Sequence, residues 1–185
     1  MSKQKFDAEE AVPVALALLE SLKPFCERIE IAGSLRRCKD QVGDIELLLI
    51  PKLESRQVDM FTSEPMDLAH EKLGLMLAHG ELQKRPSVTG AFTWGPKNKL
   101  AIHTASGIPV DFFSTTLANW WVSLVVRTGS KETNLKLTMG AQARGARLNA
   151  YGSGVTWSDG TVTEATSEQH VFEMCGVPYQ EPNSR

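Results

Sequence analysis

Asp44 and Glu46 flank Ile45 at the head of the apolar run Leu47, Leu48, Leu49, Ile50. In an extended chain successive side chains alternate faces, so residues two apart point the same way, and the spacing predicts two carboxylates side by side. An ionised acid pair in such a strand is costly to bury without a cation on it. Gly33 and Ser34 form a turn followed by Arg36 and Arg37, and Asp44 comes ten residues after the serine. A short loop with free backbone N–H groups, a hydroxyl and two guanidiniums can hold a polyphosphate. The carboxylates would bind magnesium, and magnesium would bridge to the phosphates. A third acid, Asp111, lies between Val110 and Phe112 on a face shared with Phe113, and a carboxylate in that setting needs a partner. If its strand runs beside the first, all three acids converge.

The elements that would hold these groups follow from periodicity and punctuation. Asp7 can cap a helix with Glu9 and Glu10 in its first turn, Val12, Leu16, Leu19 and Leu22 recur near helical spacing, and Pro24 marks the end. Pro13 predicts either a later start or a bend. A short strand at 28–32 leads into the Gly-Ser turn, and residues 43–50 give the strongest strand pattern, apolar on both faces and stopped by Pro51, which suits the middle of a sheet covered by helices. Residues 54–64 are irregular and read as a loop. Residues 66–79 read as a helix ended by Gly80, 82–95 are ambiguous, and 100–104 with 108–114 read as a hairpin around Ala105, Ser106 and Gly107. Beyond Thr115 come an apolar helix at 117–126, a helix at 131–144 capped by Ser130, a hairpin turned at Ser158, Asp159 and Gly160, a helix at 167–175 and the tail GVPYQEPNSR. The reading is an α+β protein: a mixed sheet flanked by helices over residues 1–115, then a small α+β lobe over 116–185.

At 185 residues, 42% hydrophobic and 23% charged, the chain suits one core or one core with an appended lobe, and excludes a disordered protein. The apolar run 11–19 is too short and too interrupted for a membrane span or signal sequence, so a cytoplasmic monomer is expected. Three cysteines without a CxxC pair and four scattered histidines give no zinc site and no disulfide framework. The net charge of −2 argues against a protein that coats nucleic acid, yet residues 97–147 hold seven Lys or Arg against two acids, as a groove for one nucleic-acid end would need. A solvated helix face fits those counts equally well.

Taken in order, the GS turn with SLRR, GDIE, VDFF, RTGSKETN and GVPYQEP resemble the catalytic core of the family X DNA polymerases, the group of DNA polymerase beta and terminal transferase. The resemblance runs from about Phe6 to the last residue, and it implies a nucleotidyltransferase-type palm followed by a thumb-like lobe. It implies an enzyme that joins a (d)NTP to a primer 3′-hydroxyl and releases pyrophosphate, with two Mg²⁺ ions for which Mn²⁺ can substitute. By the same resemblance Asp44 and Glu46 would hold both ions, and Asp111 would complete the catalytic one and help deprotonate the hydroxyl. Gly33, Ser34, Arg37 and Gly43 would bind the triphosphate, with Arg36 a weaker candidate. Thr128, Gly129 and Ser130 would form the bend under the sugar, Asn134 would face the base, and Lys131 would contact base or phosphates. Arg144 and Arg147 would contact DNA, a primer–template or a gapped duplex, in a repair setting; nucleoid-associated and viral settings both remain open.

The chain departs from the family pattern at several places. Glu46 replaces an aspartate, Ala32 the first of two glycines, and Pro109 a common arginine; Val126 and Arg127 stand where many members carry aromatic residues, which predicts weak ribose exclusion. Nothing resembling the lyase lobe or helix-hairpin-helix clamps precedes Phe6, so weak, salt-sensitive DNA binding and no lyase activity are expected. Two other functions fit the residues: a nucleotidyltransferase that tails RNA or modifies a protein or small molecule, and a noncatalytic nucleotide-binding module. Trp120 and Trp121 read as packing residues.

Overall fold

A computed structural model describes residues 4–57, 59–87 and 89–185. The amino-terminal part runs β1 (Phe6–Asp7), α1 (Ala8–Leu22), β2 (Cys26–Ile31), α2 (Gly33–Arg36), β3 (Gln41–Val42) and β4 (Ile45–Pro51). It continues through β5 (Leu53–Gln57), β6 (Ser63–Asp67), α3 (Leu68–Ala78), β7 (Leu82–Lys84), β8 (Asn98–His103) and β9 (Pro109–Ser114). The remainder is α4 (Trp120–Thr128), α5 (Lys131–Ala143), β10 (Ala146–Leu148), β11 (Gly154–Trp157), β12 (Val162–Glu164) and α6 (Glu168–Met174).

A five-stranded mixed sheet, ordered β2-β4-β9-β8-β7, carries the first part. Strand β4 lies against β2 antiparallel and β9 parallel, so its backbone is paired on both sides. That position explains its continuous apolar sequence, because both of its faces are covered. Ile45, Leu47 and Leu49 join Val110 and Phe112 in a core closed by Ala11, Ala15, Leu18 and Leu22 of α1 and Leu73 and Met76 of α3. Leu48 and Ile50 point the other way and pack with Phe113, Trp120 and Leu124. Glu46 and Asp111 follow the same alternation, which puts them on the α4 side of the sheet.

Helix α4 serves two cores. Trp120 and Leu124 meet the sheet, while Val122 and Val125 pack with Leu137 and Ala141 of α5, Val155 of β11 and Val171 and Phe172 of α6. A three-stranded sheet, β10-β11-β12, completes this smaller lobe. Arg28 stacks over Trp120, 4.1 Å from the ring centroid, and so covers the edge of the seam where the β2 end of the sheet meets α4.

Several sequence expectations need correction. Residues 54–57 and 63–64, expected in an irregular loop, are strand instead: β5 and β6 pair antiparallel, from Leu53 opposite Asp67 to Gln57 opposite Ser63. All of β5 is exposed, so no buried face imprints an alternating pattern on its sequence. The central strand starts at Ile45 rather than residue 43, leaving Asp44 just outside it. Helix α1 begins at Ala8 with the exposed Pro13 inside it, and Asp7 occupies the N-cap position without a side-chain cap; its carboxylate accepts from Gln41 instead. The Gly-Ser turn is a single helical turn, α2, and the apolar helix starts at Trp120 rather than residue 117. Ser130 caps α5 as expected, accepting from the Thr133 N–H.

Candidate active site

Register builds the site. Glu46 stands opposite Asp111 in the parallel β4–β9 pairing, and Asp111 stands opposite Leu100 in the antiparallel β8–β9 pairing. Directly paired residues share a face of a sheet, so Glu46 and Asp111 are neighbours above it. Asp44, one residue before β4, acts on Glu46 electrostatically. Burial first, then the charges of Asp44 and Asp111, push the Glu46 carboxyl up to about 7, while Arg127 and Arg37 pull it the other way. The proximity of the acids to one another is therefore expressed as an energetic burden on the middle one.

Gly33 makes room for that side chain. It sits at φ +64°, and a Cβ built on it would lie 1.9 Å from Glu46 Oε2. A glycine is required here for both reasons: positive φ strains any other residue, and the glutamate oxygen occupies the space a methyl group would take. Ala32 closes the approach from the other side, its N–H donating to the Glu46 carbonyl at 2.8 Å.

The arginines after the serine turn toward the end of α4. Arg37 Nη1 donates to the Thr128 carbonyl, and its Nε is buried without a hydrogen-bond partner. Arg36 Nη1 reaches Thr128 Oγ1 at 2.7 Å and Glu168 Oε1 at 2.5 Å. Glu168 also accepts from Arg185 Nη2 at 2.7 Å, so a nearly buried carboxylate lies between two guanidiniums from opposite ends of the chain. Gly129 follows at φ +69°, 3.1 Å being the distance from its would-be Cβ to Arg37 Nη1. Thus Gly33, Arg37, Thr128 and Gly129 line one seam together with Glu46, and Ser34 lies in the same turn as Gly33.

The other expected site residues are more dispersed. Asn134 donates from Nδ2 to the Val126 carbonyl at 2.8 Å, while its Oδ1 is buried with no hydrogen-bond partner. Lys131 is exposed at the start of α5. Arg144 donates to the Glu173 carbonyl at 2.9 Å, and Arg147 projects, exposed, from β10 beside Thr156 and Trp157.

Sequence reading missed four participants. Arg85 donates from Nη2 to Asp111 Oδ1. Arg127 lies 3.6 Å from the Phe113 ring centroid and donates to the Tyr151 hydroxyl at 3.1 Å. Glu168 and Arg185 form the pair already described. Arg127 opens the RTGSKETN stretch, where its sequence reading concerns only ribose exclusion; Arg85, Glu168 and Arg185 lie outside the motifs, next to Lys84, Ser167 and Ser184, and nothing local marks them. Among the described residues no three His, Cys, Asp or Glu side chains are gathered as a metal-holding group.

The donor set still suits a hard divalent cation. It consists of carboxylate oxygens, and burial together with the charges of Asp44 and Asp111 disfavours the ionised form of Glu46, a burden that a nearby cation would relieve. The Nε of Arg37 and the Oδ1 of Asn134 are buried polar atoms without a hydrogen-bond partner, an uncommon and costly arrangement.

A mixed palm-like sheet bearing paired acids, joined through α4 to a small α+β lobe, defines a polymerase-beta-like fold. Residues 123–185 match the family model "DNA polymerase beta thumb". Over 98% of its length the chain superposes on Leishmania infantum polymerase beta in its ternary P/T complex, with TM-score 0.74, 20% identity and 77% of that chain covered. The ternary gap complex of the same protein gives TM-score 0.76, 19% identity and 71% coverage. The chain is also 25% identical to the DNA polymerase/3′-5′ exonuclease PolX of Bacillus subtilis (strain 168), over 98% of its own length and 29% of that relative's. The chain thus resembles the family X DNA polymerases, in fold along almost its whole length and in sequence over the thumb match.

Proposed function

We propose that the chain catalyses metal-dependent transfer of a nucleotide from a (d)NTP to a nucleic-acid 3′-hydroxyl, releasing pyrophosphate, as a DNA polymerase acting in gap filling or repair. The observation that carries this reading is the opposition of Glu46 and Asp111 in adjacent parallel strands, with Gly33 held open against the glutamate. Residues 1–115 act as the palm-like unit and 116–185 as the thumb-like lobe.

Asp44, Glu46 and Asp111 would hold two Mg²⁺ ions, which when bound neutralise the charge that develops on attacking and leaving oxygens and lower the pKa of the hydroxyl. Asp111 orients the primer hydroxyl and receives its proton. Gly33, Ser34, Arg37 and Gly43 hold the β and γ phosphates, the Arg37 guanidinium supplying the positive charge. Thr128, Gly129 and Ser130 carry the chain beneath the sugar, and Asn134 faces the base. Lys131 adds positive charge at the same edge. Arg144 and Arg147 contact the DNA backbone, and the Leishmania relative's gap complex supports a gapped duplex as partner.

We place the protein in the cytoplasm, as a monomer; no helix among the described residues is long and apolar enough to cross a membrane. Purified protein incubated with labelled primer, with and without template, Mg²⁺ or Mn²⁺, and each dNTP and NTP tests the reading. Templated extension is expected. Untemplated tailing of RNA would reassign the protein to end modification, and no transfer at all would leave a nucleotide-binding module.

A further inference from the structure

The same face of the sheet carries a cation that the proposed chemistry does not use. The Arg85 N–H donates to the Leu100 carbonyl at 3.1 Å, Leu100 pairs with Asp111, and Asp111 pairs with Glu46. Arg85, Leu100, Asp111 and Glu46 thus form one row across the sheet. Adjacent strands are about 4.8 Å apart, so Arg85 and Asp111 stand on the order of 10 Å apart along the backbone. An extended arginine spans that gap, and Arg85 does so, passing over Leu100 to put Nη2 on Asp111 Oδ1. Both side chains are largely sheltered, at 17% and 11% exposure, so water screens the contact weakly. The Arg85 Nε is buried and has no hydrogen-bond partner, so the guanidinium is held here by the carboxylate it meets.

We infer that Arg85 is a placeholder cation for Asp111, which a divalent ion must displace before that carboxylate can ligate it. The inference rests on the reading that Asp111 receives such an ion. With the guanidinium on Oδ1, a dication brought to the same sheltered carboxylate meets a positive group a few ångströms away, and their repulsion opposes joint occupancy. The arginine neutralises Asp111 in the metal-free protein, where Glu46 already carries the strain of its neighbours' charge. It also makes metal occupancy conditional: the ion gains Asp111 only by exchanging with Arg85, and apparent affinity falls by the fraction of time the carboxylate is engaged. Arg85 is accordingly a positioning residue, acting through Asp111.

The test is direct Mn²⁺ titration of the nucleotide-free protein, followed by the electron paramagnetic resonance signal of unbound Mn²⁺. Arg85→Gln should tighten Mn²⁺ binding by about tenfold if the ion pair is formed some nine-tenths of the time. Arg85→Lys should fall between it and the unaltered protein, and adding Asp111→Asn should erase the gain. Equal or weaker binding by a folded Arg85→Gln protein overturns the inference, as does a gain that survives Asp111→Asn. A second measurement needs no variant: the Arg85 Nε–H resonance of the intact chain should move as Mg²⁺ is added, and an unmoved resonance at saturating Mg²⁺ overturns the inference. Failure of primer extension with the Mn²⁺ gain intact would refute the transfer reading alone; active protein without the gain would refute the placeholder alone.

Discussion

Glu46 and Asp111 stand directly opposite one another on neighbouring parallel strands, and the charge of Asp111 helps push the Glu46 carboxyl up to about 7. Two acids 65 positions apart in the chain are thereby forced into one small volume. Register does this, since a slip of one residue in β9 would send Asp111 to the face that Phe112 now occupies.

Asp111→Asn should lower nucleotidyl transfer by at least about 10²-fold, the scale on which a removed transition-state partner acts. Nucleotide binding, which depends on Asp44, Glu46 and the Gly33 turn, should be reduced far less. Extension kinetics and a fluorescent-nucleotide titration on the same preparation check the division of labour; equal loss of both would contradict it.

Glu46 titration gives a pH dependence with a definite sign. Its folded pKa of about 7 exceeds the ordinary 4.5, so between those values the folded state binds more protons than the unfolded one. The Glu46 contribution to the stability of the chelator-treated protein therefore falls as pH rises from about 4.5 to 7 and flattens above. Glu46→Gln should remove that slope and stabilise the metal-free protein at pH 8 by about 3 kcal/mol, the order implied by the size of the shift. Urea titrations across the pH range measure both.

Gly33→Ala places a methyl group on the Glu46 oxygen at a positive-φ position. Destabilisation of about 1–3 kcal/mol is expected, with loss of nucleotide affinity because Glu46 must move. Ser34→Ala, which meets neither obstacle, should leave the melting temperature nearly unchanged and separate fold from site.

Glu168→Met removes the carboxylate between Arg36 and Arg185, leaving two guanidiniums facing each other in a largely sheltered position. Breaking a buried ion pair from one side costs about 3–5 kcal/mol, so the thermal midpoint should drop by roughly 10 °C. Differential scanning calorimetry measures the change, and a drop of a degree or less would place this cluster among ordinary surface pairs.

Much of the fold was legible because local chemistry and burial agree. The apolar run 45–50 is central because both faces are covered, Ser130 caps α5 because it precedes a helical segment, and Gly80 follows α3 at a positive φ where few other residues sit easily. The pairing of β5 with β6 was not legible, since β5 is exposed on both faces and needs no alternation. That Asp44 falls one residue outside β4 is not legible either, because composition does not mark where pairing starts.

Taken alone, the sequence determined which residue types were available: three acids in apolar surroundings, a glycine-serine turn with two arginines, and a capped helix beyond the bend. Tertiary structure decided how they meet. It set Asp111 against Glu46, brought Arg85 across Leu100 to Asp111, and joined Arg36 to Arg185 through Glu168. The physical reason is that side-chain chemistry is local, whereas strand order and register are properties of the whole sheet, settled by burying both faces of β4 at once.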